Sequence, residues 1–176
     1  MNKVLVVVDM QNDFIDGSLG SKEAQSIIAN AAAEIRKDYD FVVATRDTHG
    51  ENYLNTNEGK HLPVVHCVKD SEGWQIADTI KEALKEKEDL VILDKPVFGS
   101  EKLVDVLKKY DKEKPIESIT LIGLCTDICV VSNALPVKMA FPEIPIHVVA
   151  DCCAGVTPQS HEAALLTMKM CQIEII

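Results

Sequence analysis

This chain has little positive charge, no long apolar run and no paired-cysteine motif, and each of these absences removes a class of function. Its 18 Lys and Arg stand against 28 Asp and Glu, a net charge of −10. They form no basic patch in sequence, so a nucleic-acid partner is excluded and small-molecule chemistry is favoured. The apolar run at residues 4–8 is closed by Asp9. It is too short for the ~20 residues of a membrane span or for a secretory signal, so no membrane partner is expected. Among the six cysteines there is no Cys-x-x-Cys; Cys125 and Cys129 fall within one helical turn, and Cys152 and Cys153 are adjacent. That usage points to free thiols in a reducing cytoplasm rather than to a disulfide framework. No repeat, low-complexity tract or Gly/Ser linker divides the 176 residues, so one domain over 1–176 is expected.

What is present is an alternation of β-branched apolar runs with amphipathic segments, the pattern of an α/β protein whose parallel sheet is covered by helices on both faces. Six strands are expected at residues 4–8, 41–45, 63–68, 90–93, 119–122 and 146–150, with 173–176 as an additional last piece. Helices are expected over 21–37, 77–86, 101–110, 127–139 and 160–171, the fourth kinked by Pro136. The polar stretch 47–62 reads as one long loop, and long loops at the carboxyl ends of parallel strands are where such sheets bind ligands.

The run Gly123-Leu124-Cys125-Thr126-Asp127-Ile128-Cys129-Val130 joins an apolar strand to a helix. Cys129 then falls in the first helical turn, where unpaired N–H groups and the positive end of the helix dipole would lower a thiol pKa from about 8.5. An exposed, activated nucleophile is the functional reading; a small core residue is the ordinary one. Asp9 and Lys95 also follow strands, and in a parallel sheet those ends share one edge. Asp9 can take the thiol proton and return it to a leaving group, and Lys95 can favour the thiolate. A second set, Asp47, His49, Glu58 and His66, offers carboxylate and imidazole ligands for Zn²⁺, Mn²⁺ or Fe²⁺. Asp47 and His49, two apart, face the same way, and His66 is expected to leave a neighbouring strand, with Cys67 turned into the core. Asn12, Asp16, Gly17 and Glu23 imitate a calcium loop, but Phe14 occupies a position that needs oxygen, so that reading is rejected.

With these residues in view, the chain resembles the isochorismatase-like cysteine hydrolases, and among them the nicotinamidase/pyrazinamidase branch. The matching segments are Asp9-Met10-Gln11-Asn12-Asp13-Phe14, Thr45-Arg46-Asp47-Thr48-His49, Pro63-Val64-Val65-His66, Asp94-Lys95-Pro96-Val97-Phe98 and the Gly123 to Val130 run. The resemblance implies a doubly wound sheet of six parallel strands. It also implies a triad of Asp9, Lys95 and Cys129, an oxyanion hole from the N–H groups of Cys125 and Cys129, and a cis peptide at Leu124–Cys125. One divalent ion on Asp47, His49, Glu58 and His66 is expected with it, as is a small amide substrate between Phe14, Leu62 and Phe98, Trp74 being a weaker candidate. The expected reaction is hydrolysis of nicotinamide to nicotinate and ammonia through a cysteine thioester. A homo-oligomer is expected from the same resemblance. Three rival readings stand beside it: a metal-independent hydrolase of another amide or carbamoyl group, a non-catalytic binding member of the fold, and a redox sensor built on the paired cysteines.

Overall fold

The computed structural model describes residues 2–176. Along the chain run β1 (Asn2–Val8), α1 (Asn12–Ile15), α2 (Lys22–Ser26), α3 (Ile28–Ile35), β2 (Phe41–Asp47), α4 (Asn57–His61), α5 (Asp78–Lys85) and β3 (Leu90–Lys95). They are followed by α6 (Glu101–Glu113), β4 (Ile116–Leu124), α7 (Val131–Ala140), β5 (Ile146–Ala154), α8 (Pro158–Met170) and β6 (Glu174–Ile175). All six strands are parallel, in the order β3-β2-β1-β4-β5-β6.

β1 lies at the centre, and its residues Val4–Val8 are at most 1 % exposed. A strand covered on both faces has no place for a polar side, which is why it reads as an unbroken apolar run. Each such side chain removed from water contributes about 1.5–3 kcal/mol. One face of the sheet packs against α1, α2, α3 and α5 through residues such as Ala31, Ile35, Ile80 and Leu84. The other packs against α6, α7 and α8 through Leu103, Leu107, Ala134, Val137 and Met168. From β1 the chain winds outward first through β2 and β3 and then through β4, β5 and β6, so a crevice opens at the carboxyl ends of β1 and β4. Gly123 stands opposite Val8 there with φ +124°, and a Cβ would lie 2.1 Å from the Val8 carbonyl oxygen.

Several elements differ from the sequence expectation. Residues 63–68 do not enter the sheet; they run beside residue 49 and meet it in a single bridge between His49 and Val68. Cys67, at φ +45°, turns the chain, and its N–H donates to the Asp13 carboxylate at 2.7 Å. The sixth strand is instead β6, the piece expected as an addition. The helix expected over 21–37 is two helices, interrupted at Ile27, with Ser21 capping the first by accepting the Ala24 N–H. The long loop carries a 3₁₀ turn, Tyr53–Asn55, and the short α4. Pro136 stands inside α7, which continues to Ala140. No described helix is long and apolar enough to cross a membrane.

Candidate active site and metal centre

The crevice gathers chemistry from three strand ends. Asp9 follows β1 directly and has φ +47°, a conformation costly for a residue with a side chain. It is held there by an N–H bond to the Thr45 carbonyl at 3.2 Å and by the Thr45 hydroxyl, which donates to Asp9 Oδ1 at 2.7 Å. Lys95, the last residue of β3, places Nζ 2.6 Å from Asp9 Oδ2 and 3.5 Å from Cys129 Sγ, and donates to the Val97 carbonyl at 3.1 Å. Its stem and ammonium are 1 % exposed.

Cys129 comes from a turn unlike the one expected. β4 ends at Leu124, the Leu124–Cys125 peptide is cis, and residues Thr126–Val130 form one wide π turn before α7 begins. The Val130 N–H reaches back five residues to the Cys125 carbonyl at 3.0 Å. Thr126 is pinned to His161 on α8, Oγ1 to Nδ1 at 2.7 Å, and the Asp127 carboxylate accepts the Val156 N–H at 3.2 Å.

The thiol is therefore buried, at 4 % exposure, not displayed at a helix tip. Burial, and then the Asp9 carboxylate, push its pKa well above the ordinary thiol value, with Lys95 opposing. This corrects the expectation of a depressed pKa. Burial likewise raises the Asp9 carboxyl, Lys95 opposing and Asp47 adding to the shift. For Lys95 burial works against the charge, but Asp9, Cys129 and Asp47 outweigh it and keep the ammonium protonated. A thiol and a carboxylate that both resist losing a proton to water, flanking one fixed ammonium, are arranged to pass that proton between themselves.

The second cluster lies alongside. Asp47 ends β2, and Oδ2 is 2.9 Å from His49 Nε2 and 3.5 Å from His66 Nε2. Glu58, on α4, brings Oε1 to 3.6 Å from His49 Nε2 and 3.8 Å from His66 Nε2. Ligand atoms about 2.1 Å from one ion stand roughly 3–3.5 Å apart in tetrahedral or octahedral arrangements, close to these spacings. His66 Nδ1 donates to the Val64 carbonyl at 2.8 Å, so its Nε2 carries the free lone pair that a ligand needs. Oδ1 of buried Asp47 makes no hydrogen bond; the nearest cation is Lys95 Nζ at 3.7 Å. Burial alone would raise the Asp47 carboxyl, but the bonds to His49 and His66 outweigh it and hold it below the usual carboxylate range. The donor set fits a divalent cation.

Both clusters meet in a cavity of about 370 Å³ lined by Asp47, Glu58 and His66 on one side and by Cys125 and Cys129 on another. Phe14, Leu62 and Phe98 are among its walls, with Leu19, Ile128 and Val156. Trp74 is not: its ring lies under the Arg46 guanidinium at 3.7 Å and its Nε1 donates to Thr48 Oγ1 at 2.9 Å, so it braces the β2 end from outside the cavity.

Three further residues, not among those marked by sequence, support the site. Tyr53 packs its ring against His49 and His66, at centroid distances of 4.7 and 4.9 Å. Gln11, fully buried, accepts the Asp47 N–H at 2.7 Å and donates to the Asp47 carbonyl at 2.8 Å, fixing the backbone of that residue. Asn133 bonds to the Cys129 carbonyl. For Asn133 the signal was an amide among the buried Cys129, Val130, Ala134 and Val137, which marks the residue but not its partners; Gln11, among Asp9, Asn12 and Asp13, gave none.

A model of the isochorismatase domain matches residues 3–176 of this chain. The nicotinamidase/pyrazinamidase of Mycobacterium tuberculosis is 24% identical over 184 residues, covering 99% of this chain and 98% of that protein. The crystal structure of the pyrazinamidase of Pyrococcus horikoshii in complex with zinc superposes with a TM-score of 0.83 at 28% identity, covering 100% of this chain and 99% of the other. The pyrazinamidase/nicotinamidase of Streptococcus mutans superposes with a TM-score of 0.84 at 26% identity, covering 99% of each chain.

Proposed function

The chain belongs to the isochorismatase family, and from that premise we propose that it is an amide hydrolase converting nicotinamide to nicotinate and ammonia through a thioester on Cys129. The observation that carries this reading is that Cys129 shares one cavity of about 370 Å³ with Asp47, Glu58 and His66, three of the four donors gathered around His49. Cavities near the small end of the ligand-site range suit a single-ring substrate, and the apolar walls Phe14, Leu62 and Phe98 suit its faces.

Asp9 takes the Cys129 proton while Lys95 stays charged between them, so a thiolate and a neutral acid replace a thiol and a carboxylate with no change in net charge. The thiolate attacks the carboxamide carbon, and the backbone N–H groups of Cys125 and Cys129 hold the oxyanion. Asp9 then returns its proton to the departing nitrogen, which leaves as ammonia. A water gives its proton to Asp9 and adds to the thioester; collapse breaks the C–S bond, the sulfur takes the proton back from Asp9, and the product leaves as nicotinate after losing its acid proton to solvent. Asp47, His49, Glu58 and His66 would hold one Zn²⁺, Mn²⁺ or Fe²⁺, which supplies Lewis acidity for a ring nitrogen when bound.

The test is ammonia release from nicotinamide by the purified protein, before and after chelation and with each metal restored. Turnover that falls on chelation and returns with metal is expected. Absence of turnover by the metal-loaded protein would overturn the substrate assignment, and turnover indifferent to chelation would overturn the role of the ion.

A further inference from the structure

Asn133 touches none of the reacting groups, yet its side chain is 1 % exposed and fully engaged. Nδ2 donates to the Cys129 carbonyl at 2.7 Å and to the Phe98 carbonyl at 3.0 Å, and Oδ1 accepts the Ser100 N–H at 3.0 Å. A buried asparagine inside a helix is a poor helix former and costly if left unpaired, so these bonds account for its place in α7. Folding back onto the carbonyl four residues earlier leaves the other N–H and the oxygen free to grip the segment between β3 and α6.

That segment has few other ties. Lys95 Nζ meets the Val97 carbonyl, and Gly99 lies so close to α7 that a Cβ would fall 2.7 Å from the Ser132 carbonyl oxygen. Phe98 itself is 43 % exposed, so fewer neighbours hold its ring than hold a core side chain, and its backbone does more to place it. Phe98, with Glu58, Leu62 and Ile128, lines both the cavity that holds Cys129 and a second one of about 620 Å³ that reaches His49 and His61. These four side chains are the partition between the two spaces.

We infer that Asn133 is a positioning residue that keeps Phe98 in this partition and thereby sets the width of the cavity beside Cys129. The inference rests on the reading that an amide substrate lies against Cys129, and it adds what limits substrate size: small planar amides are retained, and ring-substituted ones are turned away while the partition stands.

Asn133→Thr releases the segment while sparing Cys129, because a threonine hydroxyl still reaches the carbonyl four residues back but neither the Phe98 carbonyl nor the Ser100 N–H. In the full chain, KM for nicotinamide should rise about tenfold with kcat within about twofold, and the preference for nicotinamide over 5-phenylnicotinamide should narrow about tenfold. Asn133→Asp, which keeps the volume and the Ser100 bond but puts an acceptor against two carbonyls, should act in the same direction. Phe98→Ala should leave Asn133→Thr with no further effect on KM.

A readout independent of turnover is the alkylation rate at Cys129, followed at peptide level, with iodoacetamide against a bulky N-benzylmaleimide. The ratio of bulky to small should rise about tenfold in both Asn133 variants. Unchanged KM and an unchanged ratio, with only a lower melting temperature, would reduce Asn133 to a packing role. A fall in kcat alone would show that it acts through the Cys129 backbone instead of Phe98. If the wild-type protein releases no ammonia from nicotinamide, the proposed function fails, while the alkylation ratio still decides the role of Asn133.

Discussion

Asp9, Lys95 and Cys129 and the neighbouring His/carboxylate cluster sit side by side at one sheet edge, but they are enclosed to different degrees. Asp9, Lys95 and Cys129 are all at most 4 % exposed, and their backbones belong to strand ends or to a turn locked onto neighbouring elements. In the second cluster Asp47 has that kind of support, whereas Glu58 rides on a five-residue helix and its side chain is 19 % exposed. A proton passed between buried groups needs distances that do not wander; a ligand that closes a coordination shell can arrive from a mobile loop. In the proposed reaction the proton chemistry would be fixed by the sheet, and the ion would be held in part by the loop laid beside it.

The largest effect is expected from Cys129→Ala. Turnover should fall by on the order of 10⁴–10⁶-fold, as when a nucleophile is removed from a covalent mechanism, while metal content and melting temperature stay near the wild-type values. Residual ammonia release near the wild-type rate would remove the thioester from the mechanism.

The next largest effects are expected at the two neighbours of the thiol, and they differ in sign. Asp9 raises the Cys129 pKa, so Asp9→Asn should move the alkylation inflection to lower pH and make the thiol more reactive at neutral pH, although turnover is lost with the proton carrier. Lys95 opposes the rise, so Lys95→Met should move the inflection upward. Leaving Asp9 buried without its ammonium should also cost about 3–5 kcal/mol in urea unfolding at neutral pH, less as the medium becomes acid enough to protonate it. Inflections shifting in the same direction in both variants would mean that the thiol does not sense the two charges separately.

The same division explains what could be read from the sequence. Residues on strand ends were legible because an unbroken apolar run marks the strand and the polar residues that close it mark the edge: Asp9 directly after Val8, and Asp94-Lys95 directly after residues 90–93, are of this kind. Residues 63–68 carry the same β-branched signature, but strand pairing is a tertiary matter, and here Cys67 bends the chain under Asp13 before a ladder can form. The wide turn at residues 126–130 and the break at Ile27 leave no mark in apolar periodicity, because both preserve the burial of the same side chains. Glu58 and His66 come together only through the folding of the 47–62 loop, so residue type and family resemblance, not spacing, brought them into view. Amides such as Gln11 and Asn133 bond mainly to backbone, which has no sequence of its own to match.

Glu58→Gln alters the least enclosed of the four donors and should have the smallest effect. Burial raises the Glu58 carboxyl, Asp47 adds to it, and His49 and His66 oppose, so the glutamate is held at some cost to its charge. An amide of the same length still offers an oxygen at the same place but without that charge. Metal affinity should therefore fall by at least about tenfold, the low end of the range for residues that only orient metal ligands, as read by competition with a chelator. At saturating metal, turnover should return to within about twofold of wild type, because no proton in the proposed reaction passes through Glu58. If turnover stays low with the site filled, Glu58 belongs with the proton chemistry, and the line drawn between the two clusters runs in the wrong place.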